Sequence, residues 1–579
     1  MHTPAEELLC RLVADLVGRA RVDVDDRFFD LGGDSITAMQ LVGRAREAGL
    51  IITRRDVFRC QNVAELARTA REVTPSAGAA AGSVGAGAEQ AADGVGTAPL
   101  TPAMLALEDD GDATGAASLR QTVVVQAPAG AALAQLTAVV QTLLDRHDAL
   151  RARLAGPVGD RRLEIPAPGQ VEAAACVERV AVPSDITAEA LASAVSEGTR
   201  RAQALLDPAA GVMLRALWFD AGPAVPGRLL LVAHRLVVDA ASWRVLVADL
   251  AMAWDAVTQG RPVAPAPTGT SFRRWSQLME EEAQNPARVK ELLYWTRVLQ
   301  GSEPVLSGRA SSAHHEVPGP AGTATWTLPA VLTAPLLTDL PRLYSCEVDD
   351  VLLTGLALAF ARWRRSQGLE EHQPLLLDVE GHGRREITAG VDVSRTVGRF
   401  AGFHPVRLDA GPETPVAAAL KRVKEQVRSI PDSGIGYGML RHLNPHTARR
   451  LEKLPRPRVV FHHAGRSAAA QVSDWAMTAE NATVEDAGAA RLPLRYALGL
   501  TAAAQDGADG PQLTITCAWA GDVLAERDVR MLGDAWISAL TALAEHAQDP
   551  QAGGRTPSDL SLVSLDQSEI DDIAQQLSL

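Results

Sequence analysis

At 579 residues, with 56 Lys and Arg against 70 Asp and Glu, the chain carries a formal charge of −14, and no basic stripe with interleaved aromatics offsets it; nucleic acid is excluded as an expected partner. Hydrophobic residues at 47% and charged residues at 22% suit a globular chain, and no run reaches the ~20 apolar residues of a membrane span, so no membrane partner is expected. The start, MHTPAEELLCRL, has no basic leader before an apolar block, which predicts a cytoplasmic location; Cys10, Cys60, Cys176, Cys346 and Cys517 are scattered, without disulfide or metal-ligand spacing.

A chain of this length needs about two to four folding units. The first opens at Thr3, Pro4 and Glu6, a capping-box pattern with proline at the first helical position, and continues through Leu8, Leu12 and Leu16 on one helical face. A second helix is predicted from Ser35 and a third over NVAELARTA, which makes residues 1–72 a small helical bundle. Residues 73–98, VTPSAGAAAGSVGAGAEQAADGVGTA, cannot bury enough surface to offset their ordering entropy and read as a flexible Ala/Gly linker. Over residues 99–555, helical segments alternate with the β-like runs QTVVVQAP, RLLLVAH, PLLLDVEG and QLTITCAWA, which predicts a large α/β domain. Residues 556–579 read as a tail, a strand or loop and then a short acidic helix, leading towards a following domain.

DDRFFDLGGDSITAMQL, residues 25 to 41, places Gly32, Gly33 and Asp34 before Ser35. A serine hydroxyl there lies at a helix N-terminus, where free N–H groups and the helix dipole favour a phosphate ester, although Asp34 or Ser35 as a plain cap accounts for the position equally. The wider string FFDLGGDSI, followed by DVFRCQNVAELA, resembles the peptidyl carrier proteins of nonribosomal peptide synthetases. That resemblance implies a small all-α four-helix bundle and 4'-phosphopantetheine on Ser35. An Asp before the serine is the form that, in this family, precedes an epimerisation-type domain.

The large region resembles the condensation superfamily, in its epimerisation-like branch, through PLTPAM (99–104), RHDALRARL (146–154), HRLVVDAASW (234–243), EGHGR (380–384), TVGRFAGFHPV (396–406), SGIGYG (433–438) and FHHAGR (461–466). The implied fold is two chloramphenicol-acetyltransferase-like lobes in a V, split near 270–310. Active members carry HHxxxD, whose second histidine is the acid/base group; here that position is Arg235, a permanent cation that cannot exchange a proton near neutral pH. His234, Arg235, Asp239 and Glu380 are therefore expected to be degenerate remnants, with Glu380 in an ion pair with Arg235 and Asp239 holding its loop through an internal salt bridge. Ala240, Arg399, His462 and His463 also depart from the family pattern. They read as drift, or as a new site built from His404, His462 and His463. Metal binding by His462 and His463 is disfavoured because adjacent strand residues point to opposite faces.

A carrier followed by an HRxxxD domain resembles the carrier–X didomain of glycopeptide-antibiotic synthetases. The resemblance implies a catalytically inactive platform, with no metal and no haem of its own, that recruits cytochrome P450 oxygenases to a peptide tethered on Ser35. It also implies neighbouring adenylation, condensation and thioesterase domains, a phosphopantetheinyl transferase to load the serine, and a monomeric chain. The alternative is an atypical epimerisation domain acting on the tethered thioester through Glu380 and one of the extra histidines.

Overall fold

The computed structural model describes residues 3–72 and 93–577, apart from 18, 20, 30, 34, 54–55, 58–59, 61, 110–119, 263–268, 302–320, 369–372, 389, 412–414, 468–472, 479, 482–495 and 561–564. The capping box forms as expected: the Thr3 N–H donates to Glu6 Oε2 at 2.7 Å and the Glu6 N–H to Thr3 Oγ1 at 3.2 Å. Helices Pro4–Val17, Ser35–Glu47 and Val63–Thr69 follow. Their inward faces, Leu9 and Val13, then Ala38, Leu41 and Ala45, then Val63 and Leu66, bury one shared core at helical spacing. The bundle is not all-α, because Leu50–Ile51 pairs antiparallel with Arg71–Glu72. A two-residue ladder is too short to leave an alternation in the sequence.

By its internal contacts the chain forms two compact units. One comprises Met1–Gln284, His382–Ala401 and Ala470–Ala489; the other comprises Asn285–Gly381, Gly402–Ala469 and Ala490–Leu579. The first holds a sheet that, among the described residues, runs Arg120–Ala127, Gly227–His234, Leu214–Asp220, Val177–Ala181. QTVVVQAP and RLLLVAH are thus the paired strands Arg120–Ala127 and Gly227–His234, with Arg120 opposite His234. Helix Leu133–Arg146 buries Leu136, Val139, Val140, Leu143 and Leu144, while helix Ala240–Thr258 buries Trp243, Leu246 and Leu250.

In the second unit the sheet order is Ala321–Leu328, Gly510–Ala520, Leu498–Gly507, Val459–Ser467, Leu375–Gly381, Gly402–Leu408. It mixes parallel and antiparallel neighbours, Val459–Ser467 being parallel to both of its partners. Helices Val348–Ser366 and Glu526–His546 pack together in this unit and contribute Leu352, Leu356, Phe360, Trp536, Leu540 and Leu543 to the core. PLLLDVEG and QLTITCAWA supply the strands Leu375–Gly381 and Gly510–Ala520.

Both ends of the large region depart from the sequence expectation. Most of the 73–98 linker lies outside the described residues, yet Gly96–Pro99 is a strand paired with Arg162–Ile165, and Ala98 is fully buried. An Ala/Gly composition carries no strand signal of its own; the neighbouring strand decides the conformation. Beyond 555, the Thr556–Asp559 turn docks on helix Val416–Arg428 through a buried ammonium, Lys424, and helix Gln567–Leu577 does so through Lys421–Asp571 at 2.7 Å. No helix among the described residues is long and apolar enough to cross a membrane.

Candidate functional site

Strand Gly227–His234 delivers His234 to its own C-terminal end, where the ring is 6% exposed. The Leu236 N–H donates to His234 Nδ1 at 3.3 Å, which fixes Nδ1 as an acceptor. Burial first, then the positive charges of Arg120 and Arg235, push the imidazole down to about 4, so it is neutral at pH 7. Arg235 follows in the turn as a second cation beside it rather than as a proton acceptor. The folded value near 4 lies below the ordinary 6.5 of an unfolded histidine, so the unfolded chain takes up the proton first. Stability from this group is complete above pH ~6.5 and is lost as the pH falls towards ~4, a total of about 3 kcal/mol. Urea unfolding between those pH values is expected to show a slope near one proton that His234→Gln removes; equal slopes in the two proteins would disprove the assignment.

Asp239 caps helix Ala240–Thr258 by accepting the Ser242 N–H at 2.8 Å. Ala240 opens that helix and is exposed. Asp239 also pairs with Arg384, whose Nη2 donates to Asp239 Oδ1 at 2.9 Å, with the Asp239 and Arg384 side chains 2% and 1% exposed. Burial opposes ionisation of Asp239, but Arg384 and the Ser242 hydrogen bonds outweigh it and hold the carboxyl below the usual carboxylate range. Arg384 also reaches the Val393 carbonyl at 2.9 Å and lies 4.0 Å over the Phe400 ring. The sequence called for a loop-holding salt bridge at Asp239 without naming its partner, and the arginine of EGHGR was the available signal. Arg399, in the position of the family tryptophan, is buried, and its carbonyl accepts from Thr101 Oγ1 at 3.3 Å.

RHDALRARL is a structural anchor as well. His147 and Arg146 meet the buried Asp249 at 2.9 and 3.1 Å, and Asp148 accepts the N–H groups of Phe272 and Arg273 at the start of helix Phe272–Glu282.

Glu380 and the extra histidines belong to the second unit. The parallel register that sets Val379 opposite Phe461 brings Glu380 beside His462, and Glu380 Oε2 meets His462 Nδ1 at 2.7 Å. The carboxylate that the sequence assigned to Arg235 thus has an imidazole partner within its own unit. His463 points the other way, to Asp349 Oδ1 at 2.5 Å. The two adjacent imidazoles therefore serve different carboxylates on opposite faces of the strand. His404 is buried 6.4 Å from Trp295, a third location. Gly434 of SGIGYG explains part of that fit: its φ is +88°, and a Cβ there would lie 2.2 Å from the His404 ring.

In the N-terminal region Ser35 is the first residue of helix Ser35–Glu47, while Asp34 lies outside the described residues. Gly33 packs so closely on Phe28 that a Cβ would fall 2.4 Å from its ring, so GlyGly leads the chain tightly into the helix.

A condensation domain profile matches residues 112–563, and a phosphopantetheine attachment site matches residues 7–70. The chain belongs to the condensation domain family. The condensation domain is preceded by a carrier unit, whose implied cofactor is 4'-phosphopantetheine. Over 580 residues the chain is 33% identical to a linear gramicidin synthase protein of Brevibacillus parabrevis, covering 98% of this chain and 7% of that protein. It is 26% identical to tyrocidine synthase 1 of the same organism over 593 residues, covering 100% of this chain and 51% of the relative. The chain therefore spans a fraction of each of these synthetases. Among solved structures, the epimerization domain from the third module of tyrocidine synthetase B aligns with TM-score 0.64 at 22% identity, covering 78% of this chain and 97% of that one. The complex of the X-domain and OxyB from teicoplanin biosynthesis aligns with TM-score 0.57 at 19% identity, covering 81% and 96%. At these identities the structural likeness establishes the fold alone: a condensation-domain fold of mixed α/β sheets.

Proposed function

We propose that this carrier and condensation-family domain form a recruitment platform: Ser35 presents a pantetheine-tethered peptide, and the large domain binds a cytochrome P450 oxygenase that cross-links it, as in glycopeptide-antibiotic assembly. The observation that carries this reading is the chemistry of the HRLVVD motif. His234 is neutral and buried, Arg235 is a fixed cation, and Asp239 is committed to Arg384, so none of the three is a proton shuttle near pH 7. A fold that keeps its architecture while losing its acid/base group is suited to binding, and a likeness in fold to an X-domain solved with OxyB supports the same reading. A partner that grips the carrier weakly gains effective concentration from a second site on the same chain. Gel filtration with a glycopeptide-pathway P450, followed by haem absorbance, is expected to shift the haem to a larger species. A haem that elutes unchanged with every such oxygenase would end the proposal.

The Glu380–His462 pair favours a second reading, an atypical epimerase. A carboxylate on Nδ1 orients the imidazole, and an imidazole is a side chain able to exchange a proton near neutral pH at the carbon next to a thioester. Deuterium incorporation from solvent at that carbon of a loaded substrate, lost in His462→Gln, would establish it; no exchange would dismiss it.

A further inference from the structure

We propose that the turn Asp392–Ser394 is a parking surface for the carrier, and that Gly43 is the residue that lets the carrier approach it. This inference does not depend on which large-domain function holds. Helix Ser35–Glu47 buries Ala38, Leu41 and Ala45 in the carrier's own core. At ~100° per residue, Gly43 lies on the opposite side of that helix, yet it is buried. The cover comes from the turn: a Cβ at 43 would stand 2.6 Å from Ser394 Oγ, 3.6 Å from Ser394 Cβ and 3.7 Å from Asp392 Oδ2. A glycine inside a helix costs roughly 1 kcal/mol relative to alanine, and close approach by the Ser394 and Asp392 side chains is the physical return.

The receiving turn is held from several sides. The Asp392 N–H donates to Thr270 Oγ1 at 3.1 Å, the Thr270 N–H to the Asp392 carbonyl at 2.7 Å, and the Ser394 N–H to Asp392 Oδ1 at 2.9 Å. Arg384 grips the Val393 carbonyl, and Arg395 pairs with the buried Asp249. A rigid receptor loses little entropy when the carrier lands. The patch is small, and a weak contact suffices, since two sites joined on one chain can meet at effective concentrations of order millimolar. Docking is therefore populated yet reversible. Gly43 lies about 12 Å along the axis from Ser35, so one helix carries both the cofactor anchor and the parking contact.

Gly43→Cys with Ser394→Cys tests the contact directly, because a 3.6 Å Cβ separation lies within the span of a disulfide. Under mild oxidation the full-length double variant is expected to migrate faster on non-reducing gels and to revert with reductant, neither single variant doing so. Gly43→Arg, which keeps a good helix former on the face away from the carrier core, supplies the deciding measurement. Parked carriers tumble with the whole chain, so in the full-length variant the carrier's amide resonances should sharpen to the widths of an independent small unit. Sharpening upholds the proposal whether or not the disulfide closes. Unchanged line widths overturn it even if a disulfide forms, since that would mark chance encounter along the tether.

Discussion

Replacing Asp239 by Asn is expected to destabilise the first unit by about 3–5 kcal/mol, the range for breaking a buried ion pair from one side. The substitution preserves shape and removes only charge. Arg384, 1% exposed, would keep its guanidinium in the interior with Ser242 Oγ at 3.0 Å, the Val393 and Thr396 carbonyls and the Phe400 ring, but without a counter-charge. The new amide nitrogen would also face a donor, because Asp239 accepts from Arg384 and Ser242 on one oxygen and from the Phe400 N–H, at 3.1 Å, on the other. Urea unfolding of Asp239→Asn, Arg384→Met and the double variant Asp239→Leu/Arg384→Met measures the coupling. The double variant should recover most of the loss, since two well-packed apolar side chains commonly replace such a pair without penalty. An Asn variant within about 1 kcal/mol of the parent would show that the pair is not the lock on the 382–401 segment.

A second change of similar size is expected at the far end of the chain. The Lys424 ammonium is fully buried and donates to both Asp559 oxygens, at 2.7 and 2.6 Å, and to the Tyr344 carbonyl at 2.8 Å. Asp559→Asn leaves that ammonium in the core with neutral acceptors only, at a cost of about 3–5 kcal/mol. Truncation after residue 555 should do at least as much, because it also removes Asp571 from Lys421 and Ser558 from Glu425. Chemical denaturation of the second unit decides the matter: a truncated chain as stable as the parent would make residues 556–577 a passive tail.

The sequence was sufficient wherever the property belongs to one side chain or to a local repeat. Arginine at 235 excludes a neutral-pH proton acceptor in any fold, because its pKa lies above ~12. GGDS before an amphipathic pattern predicted a helix from Ser35, and runs rich in Val, Leu, Ile and Thr bounded by turn residues marked the strands Arg120–Ala127, Gly227–His234, Leu375–Gly381 and Gly510–Ala520. The opposed directions of His462 and His463 also followed from strand geometry alone.

Tertiary structure alone decided the partners. Arg384 lies 145 residues from Asp239, Lys424 135 from Asp559, and Glu380 meets His462 only because two strands run parallel in one register. Gly96–Pro99 became a strand because another strand lies beside it, and Gly43 is intelligible only from Ser394. The physical reason is common to all of these. Periodicity and propensity report which face of an element turns inward, whereas a buried charge or a close approach is specified by what the rest of the chain brings to that face.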